Sequence, residues 1–224
     1  MPRRARPLNT QRSEHWLRVA VNQRQEDFSR DVRSVFGWPA VEEIRWRSPI
    51  QEDDYAEYYD EAFLQRLGVN DLSMPLKSFW PASGPRWDGL ARTRSGKVLL
   101  VEAKAYIEEA VDYRSRASSD SLKLITRSLA DAKKAFGARP EATWDAPFYQ
   151  YANRLAHLHF LAGLNKVDAY LLFVYFADAP DVPEPCATQQ WEGAIRLVTK
   201  CLGIEAHRYH GRVAHLVCRA DGSV

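Results

Sequence analysis

The chain has 224 residues, of which 46% are hydrophobic and 27% are charged, and this length is enough to bury one sizeable core. The 31 Lys and Arg residues against 29 Asp and Glu give a net charge of +2, which excludes a global polycation and leaves only local basic surfaces for nucleic-acid binding. No apolar run approaches the roughly 18 residues of a membrane span. Three cysteines without a Cys-x-x-Cys pair indicate neither a disulfide framework nor a zinc site, and we expect a cytoplasmic protein.

Two helices are predicted before the first strand. From Glu14 onward, hydrophobic residues recur at helical spacing until Gly37 and Pro39 stop the pattern. The acidic stretch 51–61 leads into a second helix of about fifteen residues that ends near Gly68.

Strands and helices then alternate in a way that sets the fold class. Short strands are predicted at 76–80, 86–93 and 98–106, followed by helices at 119–136 and 147–162, a strand at 169–176, a helix at 188–202 and a strand at 213–218. Ser118 or Ser119 would cap the first of these helices and Gly137 would end it. The nearly all-apolar run 169–176 is typical of a central strand covered on both faces. The order predicts one α/β domain over 1–224, with a mixed central sheet flanked by helices.

The hairpin between the second and third strands is the most informative stretch. Glu102 and Lys104 share one face of their strand and end an apolar stripe. If the hairpin closes through the three-residue loop 94–96, Asp88 lies directly opposite Glu102, with Cβ atoms about 4.5 to 5.5 Å apart. A two-residue loop would instead pair Asp88 with Ala103 and turn Glu102 to the other face.

Two carboxylates this close repel each other unless a cation lies between them. Oxygen ligands favour a hard divalent metal, Mg²⁺ or Mn²⁺. Lys104 would point its ammonium at the attacking water or at the attacked phosphate, so the pattern predicts a phosphodiester-cleaving site. The alternative is an ordinary salt bridge at a strand edge, which is common where acids and bases alternate.

Asp88, followed fourteen residues later by Glu102-Ala103-Lys104, resembles the motif of the PD-(D/E)xK nuclease superfamily, which has the restriction-endonuclease-like fold. The element order over 51–176 is similar to that family's α-β-β-β-α-β core. Residues 1–50 would then be an N-terminal helical extension, and 177–224 a C-terminal helix and strand.

The resemblance implies a role for each residue of the motif. Asp88 and Glu102 would bind the metal, with the Ala103 carbonyl as a further ligand. Lys104 would orient or deprotonate the attacking water. Trp87 stands where the family name has Pro. The implied activity is metal-dependent hydrolysis of phosphodiester bonds, and DNA is favoured over RNA by the resemblance alone.

The family often adds a glutamate from the helix before the sheet, and here Glu57 or Asp60 would reach the sheet edge. For Glu57 the alternative is a capping box with Asp54, three residues earlier, which needs no metal. Glu57 is therefore a candidate catalytic residue with a structural alternative beside it.

A polar trio is predicted beside the apolar stripe of the helix that begins at Pro147. Gln150, Arg154 and His157 fall together there, and Gln150-x-x-x-Arg154 is similar to the Q-x-x-x-[RY] element that some members of the superfamily place near the site. Arg154 would contact the scissile phosphate and His157 a neighbouring one. The alternative is the ordinary polar flank of an amphipathic helix.

The helix at 119–136 offers a basic surface for a phosphate backbone. Lys123, Arg127 and Lys134 share one of its faces, which would make binding salt-dependent, although a solvated helix face is the alternative. Trp80 and Trp87 flank the site and would stack on bases unless they are buried, as Trp usually is.

We therefore expect a nuclease that uses Mg²⁺ or Mn²⁺ and acts on nucleic acid, DNA before RNA, with no role at a membrane and with a homodimer left open. Two alternatives remain. One is an inactive relative that binds nucleic acid or a protein partner, and the other is an unrelated α/β enzyme that uses His157 or His159 as a base.

Overall fold

A five-stranded mixed sheet forms the centre of the computed structural model, which describes residues 3–5, 11–112 and 118–220. In chain order the strands are β1 (Arg3–Arg4), β2 (Ile44–Ser48), β3 (Glu57–Tyr58), β4 (Gly89–Thr93), β5 (Val98–Lys104), β6 (Ala169–Ala177) and β7 (Val213–Arg219). β1 and β3 form a separate ribbon, and the other five lie in the order β2-β4-β5-β6-β7. β4 is antiparallel to β2 and β5, whereas β6 is parallel to β5 and β7.

Helices cover both faces of this sheet. They are α1 (Arg12–Asn22), α2 (Gln25–Phe36), α3 (Glu61–Leu67), α4 (Ser119–Phe136), α5 (Tyr149–Leu158) and α6 (Thr188–Leu202). α1 and α2 pack on one face, against residues such as Leu99 and Val101, and α3 to α6 pack on the other, against Leu100 and Phe173. The α/β class with a mixed, helix-flanked sheet is thus confirmed. No helix in the described part of the chain is long and apolar enough to cross a membrane.

The second half of the chain follows the predicted elements closely. Ser118 caps α4 by accepting a hydrogen bond from the Ser121 amide, and Gly137 ends it in the left-handed conformation at φ +72°. α5 continues as a π-helical segment, His159–Leu164, a little beyond the predicted end. β6 is covered on both faces, and this is why its sequence is apolar almost throughout.

The predicted helices in the first half need correction. The N-terminal pattern is two helices, because α1 ends at Asn22 and α2 begins at Gln25. The fifteen-residue helix after residue 51 is wrong. Asp54 and Tyr55 adopt left-handed φ values of 51° and 52°, which interrupts a right-handed helix, so that only the seven-residue α3 remains before Gly68.

One predicted strand is wrong and another was missed. Residues 76–80 contain a short 3₁₀ helix, Leu76–Ser78, instead of a strand. The first sheet strand is β2, which lies in the segment expected to be a helical extension. Its residues alternate between buried and exposed, as expected of a strand. The hairpin strands themselves are confirmed with shorter bounds, Gly89–Thr93 and Val98–Lys104.

Glu42 holds the turn between β4 and β5. It is 7% exposed, and its carboxylate accepts hydrogen bonds from the Ser95 amide at 3.0 Å and from Lys97 Nζ at 2.9 Å. The Thr93 amide donates to the Lys97 carbonyl at 2.9 Å, and Gly96 has a φ of +97°, so the loop is the three-residue one. Burial alone would raise the pKa of Glu42, but the bonds from Ser95 and Lys97 outweigh it and lower the pKa to about 2.

We expect Glu42→Gln to lower the free energy of unfolding by roughly 1 to 3 kcal/mol at pH 7, because charge-assisted hydrogen bonds to a buried group are lost. The folded pKa lies below the ordinary value of 4.5. The stabilisation is therefore complete above about pH 4.5 and is lost as the pH falls toward 2. Urea unfolding between pH 3 and pH 7 measures both effects. The exposed Glu43→Gln is the matched control, and an equal loss in both variants would contradict this role.

Candidate active site

The hairpin register brings the two predicted metal ligands face to face. The β4–β5 ladder pairs Gly89 with Val101 and Leu90 with Leu100 and ends there. Asp88 directly precedes it, and continuing this register by one residue sets Asp88 opposite Glu102. The Ala103 amide donates to Asp88 Oδ2 at 2.8 Å, which fixes the Asp88 carboxylate beside the strand. The register that depended on a three-residue loop is confirmed.

Glu102 is the centre of a buried ion-pair network. It is 3% exposed. Lys104 Nζ donates to its Oε1, and Nε and Nη2 of Arg154 both lie 2.6 Å from its Oε2. Burial alone would raise the pKa of Glu102, but the charges of Arg154 and Lys104 and their hydrogen bonds outweigh it, and the pKa is lowered. Glu102 is therefore a stable carboxylate at neutral pH.

The charged form of Asp88, unlike that of Glu102, is disfavoured by its surroundings. Its pKa is raised well above its ordinary value by burial and by the negative charges of Glu102 and Glu57, which Lys104 and the Ala103 N–H offset only in part. Charged Asp88 is therefore disfavoured until a further positive charge arrives. A bound cation would supply that charge.

Lys104 stays protonated in this network. Burial alone would lower its pKa, but the charges of Glu102 and Asp88 raise it above the ordinary value. Its Nζ also donates to Gln150 Oε1 at 2.9 Å. Lys104 is thus held as an ammonium, which can donate a hydrogen bond to a substrate oxygen but has no free electron pair with which to deprotonate water.

Glu57 lines the cleft, but it lies on a different secondary-structure element from the predicted one. It lies on β3, not on a helix, and is 3% exposed among the residues that line the cleft. The capping-box alternative with Asp54 is therefore wrong, since no helix begins there. Asp60 accepts hydrogen bonds from the amides of Ser83 and Gly84 at 3.1 and 2.9 Å, and so it holds the loop before Asp88.

α5 brings the predicted pair Gln150 and Arg154 into the site. Gln150 holds Lys104, and Arg154 holds Glu102. Arg154 Nη2 also donates to the Arg86 carbonyl at 2.9 Å, which ties the loop before Asp88 to the helix. Because its guanidinium is committed to these partners, Arg154 acts on the site through Glu102 and the loop. The predicted contact with a phosphate stays a prediction.

His157 does not reach the cleft. It is 1% exposed, its Nδ1 lies 2.9 Å from the Asn153 carbonyl, and burial lowers its pKa to about 3. A buried, uncharged imidazole cannot contact a bound nucleic acid, so this assignment is corrected. Trp80 and Trp87 pack around the His157 ring and are 3% and 0% exposed, so neither presents a face on which a base can stack.

The site opens into a cleft of about 900 Å³. Seven carboxylates line it: Glu14, Glu57, Asp88, Glu102, Glu108, Glu109 and Asp112. Three cations line it as well, Arg86, Lys104 and Arg154, and the last two are paired with Glu102. The cleft is therefore strongly negative, and a phosphate-bearing substrate needs added positive charge to enter it.

Arg86 is the functional candidate that sequence reasoning missed. Its side chain is exposed, and its guanidinium lies 5.5 Å from the centre of the Tyr59 ring. No carboxylate of the described residues forms an ion pair with it. The available signal was its position two residues before Asp88, on the loop that leads into the hairpin.

The basic helix face lies outside the cleft. Lys123, Arg127 and Lys134 of α4 are exposed and are absent from the cleft lining. Lys123 pairs with Asp120 at 3.0 Å, and Arg127 lies 4.0 Å from Asp131, so two of the three charges are partly neutralised on the surface. Their role in nucleic-acid binding stays a prediction. Two further bases just before this helix, Arg114 and Arg116, lie outside the described residues.

The donor set fits a divalent cation in charge and in chemistry. Mg²⁺ is commonly held by one or two carboxylates, with water and substrate completing its shell, and Asp88 and Glu102 supply two. Within the ranges that the structure describes, no group of three or more His, Cys, Asp or Glu side chains could hold a metal ion.

Comparison with protein-family models, with curated proteins and with solved structures finds no match to this chain. The chemistry of the site is therefore inferred from its own residues. Its defining features are the opposed carboxylates, the committed Lys104 and Arg154, and the exposed Arg86.

We expect Asp88→Asn to raise the melting temperature in metal-free buffer near pH 8. The variant keeps an oxygen for the Ala103 amide and removes a charge that Glu102 and Glu57 oppose. Because the folded pKa of Asp88 is raised, the wild type loses stability as the pH rises above the ordinary carboxyl value of 3.8, and the gap should widen with pH.

Thermal melts between pH 5 and pH 8 in EDTA test this, with the exposed cleft variant Glu108→Gln as control. Adding Mg²⁺ should then raise the melting temperature of the wild type but not of Asp88→Asn. A variant that is less stable than the wild type at every pH would contradict the assignment of Asp88.

Proposed function

We propose that this protein is a metal-dependent nuclease that hydrolyses phosphodiester bonds, in DNA more readily than in RNA, with Mg²⁺ or Mn²⁺ as its cofactor. The observation that supports it most is the meeting of Asp88, Glu102 and Lys104 from one hairpin at the cleft. An ordinary edge salt bridge would not place a second carboxylate directly opposite the first, because like charges in that position are destabilising.

The order of the elements also supports the proposal. α2, β2, β4, β5, the pair α4 and α5, and β6 follow one another as α-β-β-β-α-β, with the short β3 and α3 inserted after β2. This order agrees with the proposed restriction-endonuclease-like core. The helix that precedes the sheet in this arrangement is α2, rather than the one expected after residue 51.

Asp88 and Glu102 would hold the ion, with the Ala103 carbonyl as a further oxygen. When bound, Mg²⁺ would offset the negative charge that gathers on the phosphate oxygens during hydrolysis. The raised pKa of Asp88 and the excess of carboxylates along the cleft both favour a site that takes up positive charge before it accepts a phosphate.

The remaining side chains of the site either contact the substrate or position the groups that do. Lys104, held as an ammonium by Glu102 and Gln150, would donate a hydrogen bond to an oxygen of the attacked phosphate, where charge grows in the transition state. Gln150 and Arg154 are positioning residues, since they act through Lys104 and Glu102. Arg86, exposed at the cleft and without an ion-pair partner among the described residues, would attract the phosphate of the incoming strand.

A second candidate is a nuclease-fold protein that binds nucleic acid or a protein without cleaving it. The observation that favours it is the commitment of both Glu102 oxygens, one to Lys104 and one to Arg154, which leaves less of that carboxylate for a metal. Calorimetric titration with Mg²⁺ separates the candidates. Heat of binding in the wild type that is lost in Asp88→Ala supports the nuclease, and no binding in the wild type supports the second candidate.

We expect the wild type to cleave plasmid or single-stranded DNA in Mg²⁺ or Mn²⁺ and to stop when EDTA is added. Lys104→Ala should lose about 10²-fold or more in kcat, because a donor to the developing charge is removed. Gel assays with DNA and RNA substrates measure this, and Lys77→Ala, at an exposed position outside the cleft lining, is the matched control. Equal cleavage by Lys104→Ala and by the wild type would show that the activity arises elsewhere.

We expect Arg86→Gln to raise KM about tenfold and to change kcat much less, since the loss of one charged hydrogen bond to a ground-state phosphate weakens binding. Steady-state kinetics on an oligonucleotide substrate give the two constants separately. Lys77→Gln removes an exposed charge outside the cleft lining and should change neither. An unchanged KM in Arg86→Gln would remove this residue from the binding site.

A further inference from the structure

Four arginines meet in a second depression, at the opposite end of β4 from Asp88. Arg45, Arg47, Arg92 and Arg94 line it together with the hairpin turn, and its volume is about 340 Å³. Arg45 and Arg92 are directly opposed across the β2–β4 ladder. Like charges in that position destabilise a sheet unless something negative offsets them.

The four side chains differ in what already holds them. Arg45 makes two hydrogen bonds to Glu43, at 2.9 and 3.2 Å. Arg92 donates to the carbonyls of Leu67 and Gly68 at the end of α3, at 2.9 and 3.1 Å. These two are therefore anchored, and Arg92 is needed for the fold.

Arg47 and Arg94 are the available pair. Both are exposed, and within the described ranges neither side chain forms an ion pair. Glu42, the other nearby acid, is turned inward onto Ser95 and Lys97, so Glu43 is the one carboxylate that compensates this cluster directly. The depression therefore keeps a clear excess of positive charge.

We propose that this arginine pocket binds a backbone phosphate of the nucleic-acid strand whose next segment lies in the cleft. The guanidinium fork matches two phosphate oxygens at once and stays charged at every relevant pH. The choice of nucleic acid as the ligand rests on the proposed function. The positive pocket itself does not.

The spacing suits one strand that contacts both places. By the two-residue repeat of a strand, Asp88 and Arg92 face the same side of the sheet. Four to six residues separate Asp88 from Arg92 and Arg94, which is about 13 to 20 Å at about 3.3 Å per residue. α3 packs over β4 on this side of the sheet, so a strand must pass around it. A B-form strand advances about 3.4 Å per nucleotide, so at least about four to six nucleotides would join the cleft to the pocket.

Protection of a sheet edge explains only part of the cluster. β2 is an edge strand, and exposed charges on such a strand discourage pairing with another chain. That accounts for Arg45 and Arg47. It does not account for Arg94, which lies in the turn between β4 and β5 and not on the edge strand itself.

The test measures binding of a fluorescein-labelled DNA strand of about 12 nucleotides, long enough to cover both places. Lys104→Ala in Mg²⁺ is the background, because it slows hydrolysis and keeps both proposed metal ligands. Anisotropy is recorded over a range of salt concentrations. Adding Arg47→Gln and Arg94→Gln should weaken binding about tenfold and reduce the slope of log K against log salt by about 0.7, the contribution of one phosphate in a single strand.

A matched control removes the same charge from α6, which packs against β6 and β7 at the other side of the sheet. Arg196→Gln with Lys200→Gln changes two exposed cations there and should leave affinity and slope unchanged.

Several outcomes overturn the pocket. The first is an unchanged salt slope in the Arg47/Arg94 variant, and the second is an equal loss of affinity in the α6 control. The third is that inorganic phosphate raises the melting temperature only when Arg47 and Arg94 are present, while binding of the 12-nucleotide strand does not depend on them. Failure of the proposed function is distinguishable from these. If DNA binding depends on the arginines but the protein does not cleave DNA, the arginine pocket is supported and the nuclease function is contradicted. If the protein cleaves DNA but the salt slope is unchanged in the Arg47/Arg94 variant, the nuclease function is supported and the arginine pocket is contradicted.

Discussion

The ion pairs of one buried carboxylate organise the whole site. A buried charge is strongly unfavourable unless it is paired, and Glu102 meets that requirement with Lys104 from its own strand and Arg154 from α5. Arg154 also holds the carbonyl of Arg86. Through these bonds the sheet, the helix and the loop before Asp88 are fixed relative to one another, so the positions of Lys104, Arg154 and this loop depend on Glu102 being charged.

The same pairing leaves Asp88 without enough positive charge of its own. Lys104 serves both carboxylates, but its direct bond goes to Glu102, and Glu57 adds further repulsion. Perturbed carboxylates of this kind are typical of functional sites, where stability is given up for binding. The fold itself would be more stable without the negative charge of Asp88. In the proposed function, a bound cation would supply the missing positive charge.

Sequence reasoning succeeded where local rules decide the structure. The Gly96 turn fixed the register of Asp88 against Glu102, and the Ser118 cap fixed the start of α4. It failed where long-range contacts override local preference. Asp54 and Tyr55 are held in left-handed conformations that no helical pattern reveals, so Glu57 was correctly chosen as a cleft residue but placed on the wrong element. The burial of His157 depends on Trp80 and Trp87, which are distant in sequence.

Charge is distributed unevenly between the two ends of β4, although the chain as a whole carries only +2. The cleft end is acidic and repels a polyanion, whereas the arginine pocket at the turn attracts one. In the proposed arrangement, a strand held at the pocket stays close to the cleft and raises its local concentration there. Repulsion at the cleft is then overcome by tethering together with the bound cation, and both contributions weaken as salt rises. A strand too short to reach the pocket would depend on the cation alone.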